Sequence, residues 1–276
     1  MKRKNLAVLV GSLSVAIGTL LAQEKEKEAK AEPPKKVPIE TLRNAKTIVP
    51  APAELFAHLN EISSSHWKEI VGTLKDELAK KPDAFKGKPT QAANLGIYIA
   101  DAFVAIKAQD KEAFMDAAKL VKELGSELGA KETIVKKADD ARELADKREW
   151  KKLTDLVETI RGEVVLQMEE SDRDLATIAT VCGWLQGLHL VADALSEQYS
   201  EKASTVLRQS GLVANLKEML GKLGDDTKAH PKVNALLDQL NEIEKLTTVP
   251  QGKPVAKEDV KKLNQISGDL VKGFQS

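Results

Sequence analysis

The stretch that decides the fold is LATIATVCGWLQGLHLVA, residues 175–192, which contains no Asp, Glu, Lys or Arg. The chain as a whole is 30% charged, so 18 uncharged residues in a row are a marked local exception. A shorter uncharged segment spans residues 91–100, and Asp-Ala follows both segments, at Asp101 and at Asp193. A helix that is apolar all round is buried on every side. We therefore expect two central helices, each with an aspartate at its end.

The rest of the chain after residue 50 has the spacing of amphipathic helices. Apolar residues recur at intervals of three and four, as at Leu153, Leu156, Val157, Ile160 and Val164. Aromatic residues make up only 4% of the chain, and no alternating run is long enough to indicate a strand. The sequence predicts an all-α fold for residues 51–276, a multi-helix bundle of about nine helices packed around the two buried ones.

Capping residues predict where the helices begin and end. Thr90 is placed to cap the first central helix, and Asp110 to start the next helix, which Gly129 ends. Ser171 with Asp174 three residues later has the spacing of a capping box before the second central helix. These boundaries leave only short connections between helices.

The two halves of the chain share a weak sequence similarity. Each Asp-Ala helix is followed by a turn and by a helix that opens with a similar tetrapeptide, Asp110-Lys-Glu-Ala or Ser200-Glu-Lys-Ala, about 90 residues apart. The second of these helices is expected to end at Gly224, and a last amphipathic helix to span 257–274. One interpretation is two related lobes, 51–147 and 148–276. The other is chance similarity between alanine-rich helices.

The N-terminus has the three parts of an export signal. Residues 2–4 are basic, residues 6–22 form an apolar run, and Ala22 offers a cleavage point, which predicts a signal peptide over 1–22. An uncleaved N-terminal anchor is the alternative, because 17 apolar residues are close to the length that spans a bilayer. Residues 23–50 are rich in Glu, Lys and Pro and predict a flexible tether. The protein is therefore expected in the periplasm or outside the cell.

The charge balance bears on possible binding partners, and the cysteine content bears on disulfide bonds. The chain has 42 basic and 42 acidic residues, and removal of the three basic residues in the signal leaves a net charge of about −3. This balance gives no electrostatic reason to bind nucleic acid or an anionic membrane. Cys182 is the single cysteine, so an intrachain disulfide is excluded, and we interpret it as a small buried apolar residue. Residues 175–192 lack basic flanks, so we predict no membrane span in the mature chain.

Helical geometry places the polar residues of each central helix in one narrow stripe. The first stripe contains Gln91, Asn94, Tyr98 and Asp101, and the second contains Cys182, Gln186, His189 and Asp193. Each helix also has small residues four apart, Gly96 with Ala100 and Gly183 with Gly187, a spacing that lets helix backbones approach closely.

Three interpretations of the stripes remain open. They form a hydrogen-bonded network that fixes helix packing. They line a ligand pocket, for which the candidate residues are Asn94, Tyr98, Asp101, Trp184, Gln186, His189 and Asp193. They bind a divalent metal, for which His189, Asp193 and Asp101 are the candidates.

The sequence contains no motif that supports catalysis: a phosphate-binding glycine loop, a nucleophile elbow, a zinc-protease helix and a haem-attachment motif are all absent. The leading hypothesis is an exported, non-enzymatic protein that binds a small ligand or a protein partner. The alternatives are a metal- or cofactor-binding protein centred on His189, Asp193 and Asp101, and a purely structural helical scaffold. The sequence identifies no cofactor.

Two segments resemble those of exported, all-helical bacterial proteins and lipoproteins of unassigned function. Residues 94–101, NLGIYIAD, are similar to the N-L-G-[VI]-Y-x-A-D segment of that group, and residues 183–189, GWLQGLH, to its G-G-W-[IV]-E-G-L-Y segment. Cys182, Gln186 and His189 stand where the group has Gly, Glu and Tyr, and the lipobox cysteine is missing. The resemblance implies an exported helical domain and supplies no catalytic residue.

Overall fold

The computed structural model describes residues 62–276, and within them the chain forms helices and no strand. The helices are α1 (Ser64–Thr73), α2 (Lys75–Leu78), α3 (Lys88–Ala108), α4 (Lys111–Glu127), α5 (Glu132–Asp146), α6 (Trp150–Ser171), α7 (Arg173–Glu197), α8 (Glu201–Ser204), α9 (Ser210–Gly221), α10 (Asp225–Lys228), α11 (Pro231–Thr247) and α12 (Lys257–Gln275). Two short 3-10 helices span Pro82–Ala84 and Thr205–Leu207. The all-α bundle is confirmed. The predicted signal peptide, the tether and residues 51–61 lie outside the described residues.

Helices α3 and α7 contain the two uncharged segments, and they form the centre of the bundle. Every residue from 92 to 106 of α3 is buried, as is nearly every residue from 175 to 195 of α7. By length and composition, α7 is the one described helix that would be able to cross a membrane, but 89% of its apolar window is buried inside the fold. Such burial is typical of the core helix of a globular domain.

The backbones of α3 and α7 touch where Gly96 meets Gly183. A Cβ atom built on Gly183 would lie 2.9 Å from the carbonyl oxygen of Gly96, and one built on Gly96 would overlap the carbonyl oxygen of Ala179. Further along, Asp101 of α3 bonds to Gln186 of α7. Since the contacts advance along both helices together, α3 and α7 run in the same general direction. Of the residues predicted to permit close approach, Gly96 and Gly183 do so at this crossing.

Amphipathic helices cover the central pair. Helix α12 packs against α7 and α3, α4 and α1 pack against α3, and α6 packs against α7. Helix α5 lies against α4 and α6, while α9 and α11 pair with each other and α11 joins them to α12. Each of these helices buries one apolar stripe, such as Val260, Leu263, Val271 and Phe274 on α12.

Two predicted helix starts were wrong by one or two residues. Thr90 lies inside α3, which begins at Lys88 after Gly87, and the positive φ of 82° at Gly87 is one that glycine tolerates. Asp172, not Ser171, caps α7, and its Oδ1 accepts a hydrogen bond from the Leu175 backbone N–H at 3.2 Å. Helix α6 continues through Ser171, so a single extended residue makes the corner and takes the capping role.

The other predicted boundaries have mixed outcomes. Asp110 caps α4 and Ser200 caps α8 through their side chains, as expected. The helix that starts after Ser200 stops at Ser204, however, and the chain passes through a 3-10 turn before α9 resumes at Ser210. This interruption distinguishes the second half of the chain from the first, where α4 is continuous.

We expect the substitution Gly96→Ala to destabilise the protein strongly. The added methyl group would collide with the backbone of α7, which cannot yield by rotating a side chain. Overpacking of this kind costs about 1–3 kcal/mol and more where backbone must move. The free energy of unfolding, measured by urea denaturation, is the test.

Gly273→Ala is the matched control, because Gly273 is also helical and an added Cβ there meets no atom within 4 Å. Alanine favours a helix over glycine by about 1 kcal/mol, so this variant should be as stable as the parent or more stable. Equal effects of the two substitutions would show that the α3–α7 crossing is not as tight as described.

Candidate functional site

Asp101 and Gln186 join the two polar stripes at the centre of the molecule. The Gln186 Nε2 donates a hydrogen bond to Asp101 Oδ1 at 2.5 Å, and both side chains are 1% exposed. The other oxygen of each group, Asp101 Oδ2 and Gln186 Oε1, is buried without a hydrogen-bond partner in the described part of the chain. The stripes therefore meet directly at one pair of residues, one of which is ionisable.

Burial raises the pKa of Asp101 from its ordinary range to about 7. The hydrogen bond from Gln186 opposes this shift, and the nearby carboxylate of Glu77 adds to it. A buried carboxylate without a cation beside it favours its neutral form, because the apolar surroundings do not solvate the charge. A carboxyl group with this pKa titrates in the physiological range.

Asn94 and Tyr98 bond to neighbouring helices rather than lining a pocket. The Asn94 side-chain amide donates to the backbone carbonyls of Thr90 and Phe274, both at 2.9 Å. The Tyr98 hydroxyl donates to the Glu77 carbonyl at 3.1 Å. Burial, with the nearby negative charges, raises the pKa of Tyr98 above its ordinary value. These bonds attach α3 to the last turn of α12 and to α2.

His189 and Asp193 face α12, where Asn264 contacts both. The Asn264 side-chain amide donates to Asp193 Oδ1 at 2.9 Å, and the His189 Nδ1 lies 3.2 Å from the Asn264 carbonyl oxygen. A carbonyl only accepts, so the Nδ1 carries the hydrogen. The imidazole ring lies against Gly268, where a Cβ would come within 2.8 Å of Cε1. Burial lowers the pKa of His189, so the ring is neutral near pH 7.

The seven predicted site residues thus divide into separate contacts. Asp101 bonds to Gln186 on one side of α7, while His189 and Asp193 bond to Asn264 of α12. Among residues 62–276, no group of three or more His, Cys, Asp or Glu side chains is placed to hold a metal ion. Cys182 is buried as a free thiol, and burial raises its pKa above its ordinary value.

Trp184, the remaining predicted residue, lines a cleft between α3, α6 and α7. The cleft opens to solvent, and its cavity volume is about 20 Å³, room for about one water molecule. Its walls are formed by Leu95, Gly96, Ile99, Arg161, Val164, Val165, Ala179, Thr180, Gly183 and Trp184. The Trp184 Nε1 is buried and has no partner within residues 62–276. The cleft residues lie on a different face of α3 and α7 from the polar stripes.

Sequence reasoning missed three residues that complete these contacts. Asn264 is a polar residue beside the apolar stripe of α12, and this placement is the one signal that would have identified it. Glu77 and Arg161 are two of many charged residues on amphipathic helices, and nothing in the sequence distinguishes them. His66 is also buried at 6% exposure, with its Nδ1 3.2 Å from the Glu69 carboxylate.

Comparisons of this chain with protein-family models, with curated proteins and with solved structures found no match. The resemblance of residues 94–101 and 183–189 to exported helical proteins therefore stays a prediction from two short segments.

We expect Asn94→Ala to destabilise the protein by about 1–3 kcal/mol, the usual cost of removing one partner from a buried hydrogen-bonded pair. The Phe274 carbonyl at the end of α12 would lose its donor. Urea denaturation gives the magnitude, and amide hydrogen exchange in the last turn of α12 should accelerate.

Gln91→Ala is the control for Asn94→Ala. Gln91 is an amide on the same helix, but its bond to Glu127 is exposed, so its removal should change stability by less than about 0.5 kcal/mol. A loss as large as that of Asn94→Ala would contradict the assignment of a structural role to the buried bond.

We expect protonation of His189 to reduce the stability of the folded protein in acid. Because its folded pKa is depressed, the neutral ring contributes stability that is complete above the ordinary histidine value of about 6.5 and is lost as the pH falls through the depressed value. We expect His189→Gln to reduce the loss of unfolding free energy between about pH 7 and pH 5. An unchanged loss in the variant would show that His189 is not the group responsible.

Proposed function

We propose that this protein is an exported, non-enzymatic binding protein whose ligand is a small, mostly apolar molecule with one anionic group. The cleft between α3, α6 and α7 is the observation that carries the proposal. Small-molecule sites are lined by apolar and aromatic side chains with a few polar groups, and the lining of this cleft has that composition.

The apolar part of the site comes from all three helices. Leu95 and Ile99 of α3 face Val164 and Val165 of α6, and the indole of Trp184 from α7 lies beside them. Gly96 and Gly183, whose backbones touch, also line the cleft. This arrangement suits an aliphatic or aromatic body of a few carbon atoms rather than a sugar or a nucleotide.

Two hydrogen-bond donors at the cleft favour a ligand that carries a hydrogen-bond acceptor. Arg161 is the charged residue of the lining, and Glu158 engages its Nε and Nη2, which leaves Nη1 for a ligand oxygen. The indole N–H of Trp184 is a buried donor without a partner in the described residues. A carboxylate or sulfonate would accept from such donors, and charge assistance strengthens the bond from arginine.

The probe for this site is benzenesulfonate, which combines one aromatic ring with one anionic group. We expect saturable one-to-one binding to the folded protein, measured by isothermal titration calorimetry. Val165→Phe should abolish it by filling the cleft, and Arg161→Gln should weaken it about tenfold, the effect of one hydrogen bond to a charged group. Circular dichroism and the urea midpoint establish that each variant is folded.

Leu166→Phe is the matched control, because Leu166 is adjacent to Val165 but is 40% exposed and does not line the cleft. This variant should bind the probe like the parent. Absence of binding, or equal binding by all three variants and the parent, would overturn the proposal and leave the scaffold interpretation in its place.

A further inference from the structure

One hydrogen-bond donor is missing between the side chains of Asp101 and Gln186. Gln186 Nε2 supplies the single donor that the structure uses between the two groups, and it points at Asp101 Oδ1. Asp101 Oδ2 and Gln186 Oε1 are both acceptors when the carboxyl group is ionised, and both are buried without a donor in the described residues. Two buried acceptors without donors cost free energy that a folded protein ordinarily avoids.

We propose that Asp101 carries a proton in the folded protein and donates it from Oδ2 to Gln186 Oε1, so that the two side chains close a double hydrogen bond that clamps α3 to α7. The added proton supplies the missing donor. The carboxylic acid and the primary amide then present one donor and one acceptor each. The clamp is lost when the proton leaves, since the carboxylate has no hydrogen to donate.

Burial and the nearby Glu77 favour the neutral acid at Asp101, and they outweigh the hydrogen bond from Gln186, which favours the ionised form. Glu77 of α2 is a like charge, and its own partner is Lys80, at 2.6 Å. Tyr98, three residues earlier on α3, donates its hydroxyl hydrogen to the Glu77 carbonyl rather than to Asp101. Helix α7 offers Gln186 there, a neutral amide, and Gln275 of α12, also a neutral amide, bonds to Tyr98. No cation among the described residues is paired with Asp101 to stabilise its charged form.

The sign of the pH dependence follows from the raised pKa of about 7. The stabilising contribution of the proton is complete below the ordinary aspartate value of 3.8 and is lost as the pH rises through about 7. The contribution of Asp101 thus falls as the pH rises between about 4 and 7, whereas that of His189 rises with pH below about 6.5. The two effects have opposite sign over overlapping pH ranges, so single variants at each position are needed to separate them.

Asp101→Asn tests the proposal, because an asparagine amide reproduces the donor and the acceptor of the protonated acid and cannot ionise. We expect the urea midpoint of the parent to fall as the pH rises from about 6 to about 9, and that of Asp101→Asn to stay level. Asp193→Asn is the matched control, because Asp193 ends the other central uncharged segment, is half-buried and bonds to Asn264. The urea midpoint of this variant should fall with rising pH as that of the parent does.

Infrared spectroscopy detects the proton itself. Exposed carboxyl groups are ionised at about pH 6, so the parent should show a neutral carboxylic C=O absorption there that Asp101→Asn lacks. If that variant does not fold, ¹³C-aspartate labelling of the parent gives the same assignment without a substitution. A carboxylate absorption from Asp101 at about pH 6, or an equal fall of the urea midpoint above about pH 6 in the parent and in Asp101→Asn, would overturn the proposal.

Discussion

The contact on which the structure depends is the approach of α3 and α7 at Gly96 and Gly183. The two backbones meet there with no side chain between them. Glycine weakens a helix by about 1 kcal/mol relative to alanine, and the dispersion contacts of two backbones at close range offset that cost. All other long helices in the described residues pack on the outside of this pair or on each other, and their amphipathic stripes are the consequence of having a two-helix core to cover.

Close approach also explains why a carboxyl group can exist at this interface. Asp101 lies five residues beyond Gly96, and Gln186 lies three beyond Gly183, so the two side chains meet just after the crossing. Short side chains can span the interface only because the backbones are so near. A buried polar pair that is satisfied in one alignment and broken in any other fixes how far one helix slides along its neighbour. The crossing brings the helices together, and the pair determines their register.

The fold class and the two central helices were predictable from sequence because both depend on local composition, namely a run without charge and a small-residue notch. The residues of the stripes, Asp101 and Gln186 above all, were also predictable, since helical periodicity places them on one face. Their partners were not. Asn264 and Arg161 reach the central helices through tertiary packing, which the spacing within one helix does not encode. The cap of α7 was missed for a related reason: the choice between Ser171 and Asp172 depends on how long α6 continues.

The cleft lies beside the same crossing, because Gly96, Ala179 and Gly183 form both the contact between α3 and α7 and part of the cleft wall. A larger residue at Gly96 or Gly183 would collide with the facing backbone and push the central helices apart. Val165 of α6 lines the cleft from a helix outside this crossing, so a larger residue there fills the cleft and leaves the crossing in place. That residue is where a purely structural core and a binding protein would differ.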